Sequence, residues 1–291
     1  MNRIVAKTIL SKLKSADSFF GISYNMNLYR GCSQGCIYCD TRSECYGVGD
    51  ISQISIKSNA LELLHQELKS KKRGTIGTGS MNDPYMEVEK EEEIVREALK
   101  VIVTHKFPVH IITKSNLVIR DADIIQEISS IYAAVSLTIT TADDQMAKRI
   151  EPNAPSTSKR FEAMKELSKK GIYTGVTLMP LLPYINDSVV NVKTLLQRAA
   201  DGGASYVIPM FGVTLRKGSR DYFYGALQRE FPGIMNRYDA TFESIRMLES
   251  PFQKTSGVLS RTNGTIGTCP QNGILHSKNG WRTALAILNL L

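Results

Sequence analysis

Cys32, Cys36 and Cys39 stand close together in the stretch Tyr29-Arg30-Gly31-Cys32-Ser33-Gln34-Gly35-Cys36-Ile37-Tyr38-Cys39-Asp40, with gaps of three and two residues. A loop this short can bring three thiolates to one inorganic centre, and Gly31 and Gly35 supply backbone freedom for the turn. Three thiolates are one short of a filled site, because structural zinc takes four ligands and an electron-transfer [4Fe–4S] cluster usually takes four cysteines. An iron–sulfur cube held by three cysteines keeps one iron open for a substrate or cosubstrate. Two other readings need a fourth ligand. Cys45 or a histidine would complete a zinc knuckle in a binding protein, and Cys45 would complete a closed cluster in an electron carrier. A disulfide framework does not suit five cysteines in 291 residues.

The elements that must hold this loop follow from the rest of the chain. At 42% hydrophobic and 22% charged residues the composition is that of a soluble globular protein with a sizeable core. No uncharged run is long enough to cross a bilayer and no signal-peptide core is present, so a reducing cytoplasmic setting without a membrane partner is expected. The net charge is +8, from 36 Lys and Arg against 28 Asp and Glu. It permits an acidic partner such as nucleic acid without demanding one. The densest basic run, Lys69 to Arg73, reads as a solvated helix end.

Residues 22–30 alternate as a strand leading into the cysteine loop, and 41–57 read as an irregular excursion containing Cys45. Strands are expected at 75–80, 109–113, 133–139, 172–178 and 206–211, with helices at 58–72, 87–105, 121–131, 156–170 and 188–200 between them. Strand and helix alternate about every 30 residues, which signals βα units around a parallel sheet. Six units are too few to close an eight-stranded barrel. The expected fold is therefore α/β, a partial (β/α)6 TIM-type barrel, with an open doubly wound sheet as the alternative. Three stretches follow: a lead segment at 1–23, the barrel at 24–212, and a C-terminal helical extension at 213–291 capping its open side. The extension is expected to hold helices at 221–228 and 234–248, a weakly ordered stretch at 255–273, and an apolar helix at 281–291.

Cys-x3-Cys-x2-Cys with an aromatic residue, Tyr38, before the last cysteine resembles the radical S-adenosylmethionine (SAM) family. The resemblance implies a [4Fe–4S] cluster on Cys32, Cys36 and Cys39, with SAM bound through its amino and carboxylate groups to the open iron. It implies reductive cleavage of SAM to methionine and a 5′-deoxyadenosyl radical that abstracts hydrogen from a substrate. An electron donor such as a flavodoxin or ferredoxin is implied as a partner. Thr113-Lys114-Ser115, Ser136 and the run Glu151-Pro152-Asn153-Ala154-Pro155-Ser156 with Arg160 resemble the spore photoproduct lyase-like branch. On that resemblance Ser80, Asn82 and Asp83, after the second strand, face the SAM ammonium. Lys114 holds the carboxylate, Ser136 also meets SAM, and Tyr38 packs by the adenine. Glu151 and Arg160 read mainly as a structural pair, with Ser156 capping a helix. The aliphatic side chains of 177–187 could wall the adenine, while Asn186 and Asp187 stand where helix caps would.

Two departures from true spore photoproduct lyases stand out. Asp40 replaces the tyrosine that follows their third cluster cysteine, and Ser80 stands where they carry a cysteine hydrogen donor. Cys45 or Cys269 could supply a thiol instead, although Cys45 also reads as a small buried hydrophobe. A nucleic acid is one candidate substrate; a peptide or metabolite is equally compatible with these residues.

Overall fold

Six parallel strands carry the site: β1 (Ile22–Met26), β2 (Thr75–Thr78), β3 (Val109–Thr113), β4 (Ala133–Thr138), β5 (Tyr173–Leu181) and β6 (Tyr206–Thr214). In this computed structural model, residues 1–14, 20–242 and 247–249 are described. The strands pair in chain order, each parallel to the next. That order has no reversal, so the doubly wound alternative, which needs one, does not apply. Among the described residues no pairing joins β1 to β6. Each end of the sheet instead receives a short antiparallel strand, Leu10–Lys12 on β1 and Met247–Glu249 on β6. The architecture is a mixed α/β fold whose parallel sheet stays unclosed.

The helices α1 (Ala60–Ser70), α2 (Ile94–Thr104), α3 (Ala122–Ile128), α4 (Thr157–Lys169) and α5 (Val189–Asp201) follow successive strands. Their apolar stripes face the sheet: α1 buries Ala60, Leu64 and Leu68 at a spacing of four. All six residues of β4 are buried, as expected of a parallel strand covered on both faces. Ser156 caps α4 by accepting from Lys159 N, as expected. At α5, however, the cap is Ser188, whose side chain accepts from Asn191 N.

Several elements differ from the sequence expectation for visible reasons. The helix expected over 87–105 breaks at Glu93, which takes a left-handed backbone (φ 49°) between Glu89–Glu92 and α2. The cause is tertiary: the buried Glu89 carboxylate accepts from Tyr29 OH, Val95 N and Arg120 Nη2. The excursion at 41–57 ends in a strand, Ser55–Lys57, which joins Asn2–Ile4 and Tyr29–Arg30 in a small side sheet. β5 and β6 each run three residues beyond their expected ends, past Pro180 and Pro209, in the stretch where the ladder shifts register. The helix expected over 234–248 stops at Phe242, and 247–249 pair with the open edge of β6. A sixth helix, α6 (Ser219–Glu230), matches expectation. The stretch at 255–273, the tail at 281–291 and Cys269 lie outside the described residues.

Candidate SAM and cluster site

The cysteine loop is fastened from several sides. Cys32 N donates to Ile51 O (2.6 Å) and Ile37 N to Ile150 O (3.0 Å), while Asn153 donates from N to Gln34 O and from Nδ2 to Ser33 O. Gly31 and Gly35 both adopt the left-handed backbone, with φ of 86° and 73°. Behind the loop, Cys36, Ile37 and Tyr38 pack with Ile150, Leu182 and the α6 residues Phe223 and Leu227 in a second apolar core.

The three cysteines line one cavity of about 370 Å³ at the C-terminal ends of the strands. Tyr38, Ser80, Asn82, Asp83 and Lys114 line it too. Ser136 does not. Strand alternation puts Ser136 and Thr138 on the same face, but Thr138 lies two residues nearer the strand end and lines the cavity. Ser136 is fully buried beneath, with Oγ 2.7 Å from His110 Nε2 and 2.7 Å from Tyr206 OH. Cys45 is exposed and outside the cavity, so it is not a buried hydrophobe, nor is it placed to supply a fourth ligand.

Most polar groups expected to meet SAM also have structural duties. Asp83 accepts from Thr113 Oγ1 (2.5 Å), Lys114 N (2.7 Å) and Tyr85 N (3.0 Å), so its carboxylate fixes the end of β3 against the loop after β2. Its own N–H points at Cys32 Sγ (3.5 Å). Asn82 Nδ2 donates to Tyr29 O. Glu151 and Arg160 pair at 2.5 Å, both almost fully buried, and Arg160 Nη1 also donates to Thr138 O. Tyr38 OH donates to the other Glu151 oxygen, which fixes the ring whose face lies 5.7 Å from Lys114 Nζ.

These contacts set the charges. Burial alone would discharge Lys114, but Cys36, Glu151 and Asp83 outweigh it and raise its pKa. Burial likewise pushes Glu151 up, yet Arg160 and Lys114 pull it below its ordinary value. Burial raises the Cys32 thiol to about 11, and raises Cys36 further with Lys114 opposing. Deprotonation of these thiols is therefore coupled to the arrival of a cationic centre.

The donor set fits a cube better than a single ion. Among the described residues, no three His, Cys, Asp or Glu side chains gather to hold one metal ion. Around tetrahedral zinc the sulfurs would sit ~3.8 Å apart. In a cube each thiolate takes a different iron, and three thiols ringing one cavity suit that arrangement.

Sequence reasoning missed one wall. Arg216 Nη1 donates to Asp40 Oδ2, Tyr46 OH donates to the same oxygen (2.9 Å), and Ser43 Oγ donates to Oδ1. Asp40 and Tyr46 line the cavity, as do Met179 of β5 and Met210 of β6. The 177–187 stretch pointed to Met179; nothing local links Arg216 to Asp40, 176 residues away. Asn186 is not a helix cap but a tie, accepting from Leu182 N and donating to Thr140 O.

A fold of sequential parallel strands with three cysteines at their C-terminal ends defines a class, and comparison with known proteins names it. The Radical SAM superfamily pattern matches residues 26–196, and the chain belongs to that family. The family implies SAM and a [4Fe–4S] cluster. An uncharacterized protein of Mycobacterium tuberculosis is 28% identical over 246 residues, covering 81% of this chain and 72% of its own length. The radical SAM Nalpha-GlyT isomerase of Pseudomonas phage M6 is 24% identical over 181 residues, covering 62% of this chain and 37% of the phage protein. Spore photoproduct lyase complexed with dinucleoside spore photoproduct shares the fold with a TM-score of 0.60 at 16% identity. That match covers 79% of this chain and 66% of the lyase, so the chain spans slightly less than two thirds of the lyase's length. Among the described residues no helix is long and apolar enough to cross a membrane.

Proposed function

We propose that this radical SAM enzyme cleaves SAM reductively at a [4Fe–4S] cluster on Cys32, Cys36 and Cys39 and uses the radical on a nucleic acid base. The observation that carries the reading is the convergence of three thiols without a fourth and a charged Lys114 on one cavity. A bound cluster supplies the single electron that splits SAM into methionine and a 5′-deoxyadenosyl radical able to take hydrogen from a substrate.

The protein's own residues do the rest. Lys114 offers its ammonium to the SAM carboxylate, held in charge by Glu151 and Asp83. Asp83 locks the β3 end so that Lys114 and the Ser80–Asn82 backbone stay in register. Tyr38, pinned by Glu151, forms a rigid face beside the cysteines for the adenine. Met179, Met210, Val213 and Tyr46 give an apolar and aromatic outer wall on which a flat base can lie. Asp40 and its Arg216 partner add a polar edge for orientation. The phage relative's name and the lyase's dinucleoside ligand both support a thymine-type substrate. Ser80 is a far poorer hydrogen-atom donor than a thiol, which argues for chemistry other than thiol-terminated dimer repair.

The test is anaerobic reconstitution with iron and sulfide, then reduction in the presence of SAM and deuterated oligonucleotides. Release of 5′-deoxyadenosine carrying deuterium supports the reading. Release without deuterium from any nucleic acid removes the substrate assignment, and no release removes the chemistry.

A further inference from the structure

Behind the cysteine loop, on the side away from the substrate cavity, lies a second hollow of about 610 Å³. Ser33 and Gln34, the residues between the first two cysteines, form part of its wall. Gln34 lines both hollows, so at that point a single residue separates solvent from the cysteine site. The rim carries Lys90, Lys148 and Lys159, all exposed, against one acidic residue, Glu87. Lys90 pairs with Glu87 at 2.6 Å and Lys148 Nζ donates to Pro152 O, so the hollow keeps a positive excess.

We propose that this hollow is the docking surface for a small one-electron carrier with an acidic face. The proposal rests on the cluster reading above. Charge complementarity selects the occupant, since a basic rim steers an acidic partner. The thin wall gives it a purpose, because the carrier would sit against the loop that holds the acceptor. One electron leaves the carrier and enters the cysteine-bound centre; the carrier is oxidised, the centre reduced, and no bond or proton changes. A carrier arriving from this side leaves the cavity mouth free for substrate.

The test uses reconstituted protein and a purified flavodoxin as probe. Calorimetric titration at low salt is compared for wild type, the Lys90→Glu/Lys159→Glu double variant, and a Lys165→Glu control near a separate surface cleft. The double variant is expected to bind about ten-fold more weakly, with a flatter salt dependence, and the control is expected to match wild type. SAM cleavage driven by dithionite, which needs no docking, is expected to stay unchanged in all three. Equal affinity of double variant and wild type overturns the proposal. So does a double variant that binds flavodoxin normally but loses affinity for an oligonucleotide, which would make the hollow a phosphodiester surface. Wild type that binds flavodoxin in a lysine-dependent way yet never cleaves SAM with dithionite keeps the docking surface and overturns the proposed chemistry.

Discussion

At the deep end of the parallel strands, His110, Ser136 and Tyr206 bond to one another, and the ring of Phe20 meets His110 edge-on at 5.0 Å. Two residues further along the same strands, Lys114, Thr138 and Asp83 border an open cavity with three thiols. Both layers are polar and enclosed by the same apolar sheet, yet they differ in charge. The floor is neutral: burial lowers His110 to about 4, so the ring stays uncharged. The upper layer keeps charges of both signs because each is paired, Lys114 against Cys36 and Glu151, and Glu151 against Arg160. Buried polar groups make a rigid plug when they satisfy one another. A reactive layer differs in keeping charge ready for a ligand.

The largest expected effect comes from removing a thiol. Cys36→Ala should abolish iron retention and lower 5′-deoxyadenosine release at least about 100-fold, beyond what loss of an outer partner costs. Cys45→Ala should leave iron content unchanged, and loss of iron there would restore the electron-carrier reading. Next is the ion pair. Glu151→Ala leaves Arg160 buried and uncompensated, which should cost roughly 3–5 kcal/mol in urea unfolding.

The floor supplies a pH test. His110 is held neutral when folded and titrates near its ordinary value when unfolded, so the unfolded chain binds the extra proton between these values. Stability contributed by the neutral ring is therefore complete above about pH 6.5 and is lost as pH falls toward about 4. Over that window it amounts to roughly 3 kcal/mol, and His110→Gln should flatten that part of the pH–stability curve.

The smallest effects separate the two layers most sharply. Lys114→Ala should raise the KM for SAM roughly 10–100-fold, the loss of one charge-assisted hydrogen bond, and Lys114→Arg should recover part of it. Ser136→Ala should cost about 1 kcal/mol of stability and leave that KM unchanged. A raised KM in Ser136→Ala would show that the floor reaches the ligand and would dissolve the distinction.

Much of this was legible in the chain. The Cys32–Cys36–Cys39 spacing, the βα rhythm and the pieces around Ser80–Asp83 and Lys114 are local signals, because short gaps and strand ends follow from neighbouring residues. The Glu151–Arg160 pair was visible for the same reason. Depth within the barrel was not legible. Alternation told which face Ser136 shares with Thr138, but only packing against His110 and Tyr206 decided which of the two is covered. Tertiary structure alone joined Arg216 to Asp40, broke the helix at Glu93 and laid Lys90, Lys148 and Lys159 behind the cysteine loop. Those outcomes depend on which distant surfaces meet, and side-chain type and periodicity carry no record of that until the sheet is assembled.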